Sequence, residues 1–213
     1  MSGIKAKNPR KKLIIVLVSL VAIILVLYAI TVVAPHIEGA FAMETEEVIA
    51  DFNFFEPDYS EDIFTDEEYM ARIENGILTY DNKSTTVTVN QENAADHGEC
   101  VGLLVDMVYS IVNGDAEEYN SYFSKEYFES NAPKKQFTMQ KIYNGRITYF
   151  SEETVTKDKI TYNVYTYKLK YYIQSNNGTF RMDIGDDARV QYVTISDREG
   201  KLLIDSITTG IYK

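Results

Sequence analysis

Between Lys12 and Pro35 the chain runs for 22 residues without a charge, residues 13–34, with Ser19, Tyr28 and Thr31 as the only polar side chains. At a rise of about 1.5 Å per residue such a helix is about 33 Å long, enough to cross a hydrocarbon core of about 30 Å. A helix that is apolar on every side needs apolar neighbours all round, and a chain with 25% charged residues has too few to offer. The sequence therefore predicts a transmembrane helix over residues 13–34, preceded by a basic tail over residues 1–12.

The flanks of this run set its orientation. Lys5, Lys7, Arg10, Lys11 and Lys12 precede it with no acid among them, and Glu38, Glu44, Glu46 and Glu47 follow. Positive charge is retained on the cytoplasmic side, which predicts a single-pass protein of the cell membrane with its N-terminus in the cytoplasm and the rest of the chain extracytoplasmic. The rival reading is a cleaved signal peptide, because Ala40-Phe41-Ala42 fits the small-x-small pattern and cleavage would follow Ala42. The run exceeds the usual length of a signal-peptide core, which favours an uncleaved anchor. Cys100, the only thiol, stands far from the end of the run and argues against a lipoprotein.

Charge also divides the rest of the chain. Formal net charge is -11, yet residues 38–82 hold 14 acids against the single base Arg72, whereas residues 83–213 hold 18 acids and 15 bases. The pattern predicts an acidic stalk or adaptor over residues 35–97 and a folded domain with a mixed surface over residues 98–213. Nucleic acid is not an expected partner, since phosphate binding needs a concentrated positive surface. One cysteine excludes an internal disulfide and any multi-cysteine zinc site.

Within the stalk, residues 51–59 interleave aromatics with acids, a composition suited to docking on a domain or a partner. Thr65-Asp66-Glu67-Glu68 reads as a capping box opening one short helix with Tyr69, Met70 and Ile73, stopped by Asn75-Gly76. Residues 77–80 and 85–89 read as a small hairpin. In the main domain Cys100, Val101, Leu103, Leu104, Met107, Val108, Ile111 and Val112 recur at helical spacing until Asn113-Gly114. Asp115 restarts a helix carrying Tyr119, Tyr122 and Phe123, and Ser124 opens a further turn with Tyr127 and Phe128. Asn131-Ala132-Pro133 predicts another helix start and Asn144-Gly145 its stop, with Phe137 and Ile142 facing inward.

After Gly145 the composition turns to strands: residues 146–151, a long one over 160–173, then 179–184, 188–195 and 201–208. The apolar phase of the long strand shifts between Val164 and Tyr165, which predicts a bulge or bend there. Helices followed by strands on short turns predict an α+β fold, with the helices packed on one face of a curved, mostly antiparallel sheet.

This order, carried by the helix over 101–112, the Asn113-Gly114-Asp115 break before the aromatic helix, and the strand series 146–208, resembles the nuclear transport factor 2-like (NTF2-like) superfamily, whose members form a cone. The resemblance implies a cone-shaped domain in an enzyme, a ligand binder or a scaffold. With its membrane anchor, the layout is similar to the VirB8-type subunits of conjugation and secretion machines. That likeness implies an interaction or scaffold protein of a bacterial envelope assembly, binding a partner protein or a second copy of itself.

No catalytic motif stands in the chain, and neither a cofactor nor a metal site is expected. His36 and His97 lack the spacing of shared ligands, and Cys100 lies on an apolar helix face where a buried thiol is the ordinary role. Asp183, Asp186 and Asp187 around Gly185 lack the alternating oxygens of a calcium loop and read as a solvated turn. Residues 160–173 hold five tyrosines, Tyr172 among them, more than one sheet face needs, and Tyr162, Tyr165, Tyr167 and Tyr171 are singled out. They are the candidate lining of a small-ligand pocket on the concave side, against the alternative that they pack beneath the helices. A small-ligand-binding or enzymatic cone is thus the second functional expectation, and an enzymatic site of that kind requires a desolvated carboxylate beside a tyrosine.

Overall fold

Two long strands dominate the architecture because residues 141–174 are rich in Tyr, Val, Thr and Ile around one tight turn at Asp158-Lys159, both at positive φ. The computed structural model describes residues 54–183, 186 and 188–209, which all fall within a single compact unit, residues 50–213. The strands are β1 Leu78–Asp81, β2 Thr86–Val89, β3 Lys141–Lys157, β4 Ile160–Gln174, β5 Gln191–Ser196 and β6 Leu203–Thr208. They form one curved six-stranded sheet in the order β2-β1-β3-β4-β5-β6. All neighbours are antiparallel except β1 and β3, which run parallel. The domain is α+β with a mixed sheet. Among the described residues no helix is long and apolar enough to cross a membrane; the predicted anchor over 13–34, the cleavage pattern at Ala42 and His36 lie outside them.

The helices are α1 Glu67–Arg72, α2 Glu99–Val112, α3 Ala116–Ser121 and α4 Lys125–Ser130. Helix α2 buries Cys100, Val101, Leu104, Met107, Val108, Ile111 and Val112 of the predicted stripe and Val105 beside them, while Leu103 is only partly buried. It stops where Gly114 takes φ 71°, and a Cβ there would lie 2.8 Å from the Met139 nitrogen. Only glycine fits that corner without a backbone shift. Asp115 then caps α3 by accepting from the Glu118 amide at 2.8 Å, and Ser124 caps α4 by accepting from the Tyr127 amide at 3.3 Å.

Several expectations need correction. The acidic stretch is not a separate stalk ending at residue 97: its described part, residues 54–97, supplies β1 and β2, and Ile63, Tyr69, Leu78 and Val89 are core residues. The acids of this described part are exposed or partly exposed, so charge density there marks a surface and not a boundary. The cap of α1 is Asp66, accepting from the Glu68 and Tyr69 amides, while Thr65 belongs to a 3-10 turn, Ile63–Thr65. The hairpin over 77–89 forms as β1 and β2.

No helix forms between Asn131 and Asn144. Backbone groups there are held by distant partners instead: Lys134 N–H donates to Asn120 Oδ1 at 2.9 Å, Thr138 N–H to Thr179 Oγ1 at 3.2 Å and Gln140 N–H to the Val112 carbonyl at 3.2 Å. Phe137 and Ile142 are buried all the same. Asn144-Gly145 is a bulge inside β3, with Asn144 at φ 48° and a register shift between Tyr143 and Arg146. A Cβ on Gly145 would stand 2.3 Å from Leu78 Cδ2, so its bareness lets β1 pair alongside. The phase change seen in β4 is answered by a second bulge in the facing strand, between Tyr149 and Ser151, and not in β4 itself. The strand expected over 179–184 is absent through Asp183, where the chain makes bends; Ile184 lies outside the described residues.

Candidate functional site

The alternation of β4 sorts the four candidate tyrosines. Tyr165, Tyr167 and Tyr171 share the face that also carries the buried Leu169 and Ile173, under the helices; Tyr162 falls on the opposite face, beneath the Arg198 guanidinium at 5.8 Å. Tyr167 is closed in the core with Tyr149 edge-on at 5.7 Å. Tyr165 is half-buried near the outer half of the strand. Tyr171 lines a cavity to which the other three do not contribute.

That cavity is an open cleft of about 500 Å³ at the end of the sheet away from the β3–β4 turn. Met107 and Ile111 of α2 with Leu169 and Tyr171 of β4 make its floor, and Tyr119, Tyr127 and Phe180 its wall. The wall is one aromatic cluster: Tyr119 meets Phe180 edge-on at 5.3 Å and Phe137 meets Phe180 at 5.0 Å. Burial raises the Tyr119, Tyr127 and Tyr171 hydroxyls above their ordinary value of 10.0. They stay protonated, and the Tyr171 oxygen accepts from the Arg181 guanidinium.

Two cations enter the same cleft. Lys134 is pinned by paired bonds to Asn120, its N–H to Oδ1 at 2.9 Å and its carbonyl accepting from Nδ2 at 2.7 Å. Its ammonium donates to the Phe180 carbonyl at 2.6 Å and lies 5.0 Å from that ring. Burial and the nearby Arg181 charge push the Lys134 pKa down. Arg181, only 10% exposed, forms a bidentate pair with Asp183 at 2.9 and 2.6 Å and a hydrogen bond with Tyr171. The guanidinium in turn holds the Asp183 carboxyl below the ordinary range. Among the described lining residues Asp183 is the one carboxylate, and it is already engaged.

The loop that carries Phe180 and Arg181 is fixed by a polar network. Thr179 Oγ1 donates to Asn177 Oδ1 at 2.7 Å, and Gln140 Nε2 donates to Thr138 Oγ1 at 2.9 Å and Thr179 Oγ1 at 3.2 Å. Asp186 accepts from the Asn176 amide at 2.9 Å. The aspartates read as a solvated turn therefore anchor this loop, Asp187 lying outside the described residues.

Size does not single this cleft out. A depression of about 550 Å³ beside the β3–β4 turn is as large, but its Arg198 and Lys157 both face Glu126 and the charges satisfy one another. The cleft differs in holding two shielded cations against one acid. Neither Lys134 nor Arg181 stands out in the sequence. Their trace there is slight, a base between Phe180 and Met182 and another beside Pro133.

The other candidates fall elsewhere. Cys100 is buried in α2, its thiol pushed up to about 12 chiefly by burial, which leaves it a core side chain. His97 rests against Tyr80 with ring centres 5.8 Å apart. Among the described residues no group of three or more His, Cys, Asp or Glu is placed to hold a metal. Compared with protein-family models, curated proteins and solved structures, the chain matches none.

Proposed function

We propose that this chain is a single-pass, membrane-anchored binding protein whose extracytoplasmic cone, of the nuclear transport factor 2-like type, receives a small anionic ligand. The observation that carries the reading is the pair of half-buried cations, Lys134 and Arg181, at a cleft of about 500 Å³ with an aromatic wall. Shielded positive charge with a single engaged acid is costly when empty and is relieved by an anion. The apolar floor and aromatic wall suit the body of an organic acid. Binding is favoured over catalysis because Asp183 is committed to Arg181, the tyrosines stay protonated and the Lys134 ammonium is engaged as a donor to the Phe180 carbonyl. The anchor over residues 13–34 rests on the uncharged run alone.

The test is thermal melting of the full-length protein in detergent with benzoate, inorganic phosphate or the neutral analogue benzamide. Benzoate is expected to raise the melting temperature of the native chain and not of Lys134→Met, with benzamide inert. Equal shifts from benzoate and benzamide, or an undiminished shift in Lys134→Met, would sink the proposal.

A second reading, a scaffold of an envelope assembly, is supported by the acidic segment 55–62, where Phe55 and Tyr59 stand 57% and 56% exposed. Large aromatics left in water beside acids are the anchors expected of a protein contact.

A further inference from the structure

The outer face of the sheet carries the opposite charge to that segment. Cross-strand register sets Arg146 opposite Lys170, and Lys168 opposite both Thr148 and Tyr192, so these side chains share the face turned away from the helices. Lys168 lies 4.9 Å from the Phe150 ring centre and 5.6 Å from that of Tyr192, and Lys170 lies 5.2 Å from Tyr172. Tyr172 in turn stacks on Tyr143 at 5.4 Å. Among the described residues none of Arg146, Lys168 and Lys170 forms an ion pair. Like charges directly across a sheet repel, and an acidic occupant would convert that repulsion into attraction. The acids of the face, Asp81 and Glu153, stand on β1 and beyond the second bulge, at its margins.

Glu56, Asp58, Glu61 and Asp62 surround the exposed Phe55 and Tyr59 in the segment. The segment is fixed close to the basic face: Glu61 pairs with Lys141 at 2.7 Å, two residues before Tyr143 on β3. Acidic-aromatic and basic-aromatic surfaces that adjoin on one molecule are complementary to the same surfaces on a copy turned by a two-fold axis.

We propose that the outer sheet face and segment 55–62 form one self-complementary surface through which two copies of this chain dock, the Phe55 and Tyr59 of each seated among the Lys168, Lys170 and Tyr172 of the other. This rests on the scaffold reading and not on the ligand cleft. Electrostatic attraction sets the register of the pair, and aromatic contact supplies its apolar area.

The experiment uses the full-length chain in its membrane, with Tyr59 replaced by a photo-crosslinking benzoylphenylalanine and the product mapped by mass spectrometry. A homodimer linked to β3, β4 or β5 of the second copy is expected. Lys168→Glu with Lys170→Glu should lower its yield about tenfold, and adding Glu56→Lys with Asp58→Lys should restore it. Should the reversed-charge pair fail to fold, judged by melting, Lys168→Gln with Lys170→Gln serves, with the expected yield again reduced. A homodimer linked elsewhere, or a yield indifferent to these charges, overturns the proposal. An adduct with a different protein and none with itself overturns self-association while leaving the scaffold reading in place. The absence of any adduct removes both.

Discussion

Strand β4 shows one face to the core and one to water, and the two treat charge differently. Outward, Lys168 and Lys170 lie along aromatic rings with their ammonium groups free to hydrate. Inward, beyond Leu169 and Tyr171, the cations Lys134 and Arg181 are shielded and each is held by specific partners, the Phe180 carbonyl and the Asp183 carboxylate. A cation on an open sheet face costs little and says little singly. One withdrawn from water is a statement about what the site is built to meet.

Substitutions can break that contrast. Leu169→Ala, on the inner face, should lower unfolding free energy by about 2–5 kcal/mol in denaturant titration, whereas Lys168→Ala on the outer face should change it by less than about 1 kcal/mol. Similar losses would mean that the outer face is as firmly packed as the inner. Arg181→Ala should cost about 1–2 kcal/mol, taken at the low end because Asp183 is 49% exposed. Arg181→Lys should recover little of it, since an ammonium lacks the guanidinium fork.

Tyr69→Phe removes a buried hydroxyl that donates to the Ile142 carbonyl at 3.0 Å and should cost about 1 kcal/mol. Its effect reports whether α1 belongs to the same cooperative unit as the sheet. A single transition, shifted as a whole, is expected by circular dichroism; two transitions would restore an independent adaptor.

The smallest effect is a pH dependence. Asp183 is held below the ordinary 3.8 by hydrogen bonds and charge from Arg181, and Asp66 likewise by Lys141. A depressed folded-state pKa contributes stability that is complete above the unfolded value and is lost as pH falls through the folded one. Melting temperature should therefore decline below pH 3.8, and Arg181→Ala should flatten part of that decline. An unchanged acid limb in the variant would show that the Asp183 pair contributes nothing measurable.

Periodicity and punctuation made much of this fold readable. The α2 stripe, the Asp115 and Ser124 caps and the β1–β2 hairpin arise from interactions within about four residues in sequence or across one tight turn. The segment from Asn131 to Gly145 predicts a helix that does not form, because its signals have two meanings. Asn-Gly ends helices and also makes bulges, and only the approach of Leu78 to Gly145 selects the bulge. Composition marks the four candidate tyrosines, yet alternation sends Tyr162 to the far face and core packing closes over Tyr167, leaving Tyr171 at the cleft.

By itself the sequence determined a 22-residue uncharged run with bases before it and acids after, and a domain of helices followed by strands. Those properties depend on neighbours along the chain. Tertiary structure decided that the acidic stretch joins the sheet, since β1 lies beside β3 some 65 residues away, and that Lys134 and Arg181 share one cleft. Burial is a property of what surrounds a side chain in space, and so the shielding of these two cations is set by packing alone.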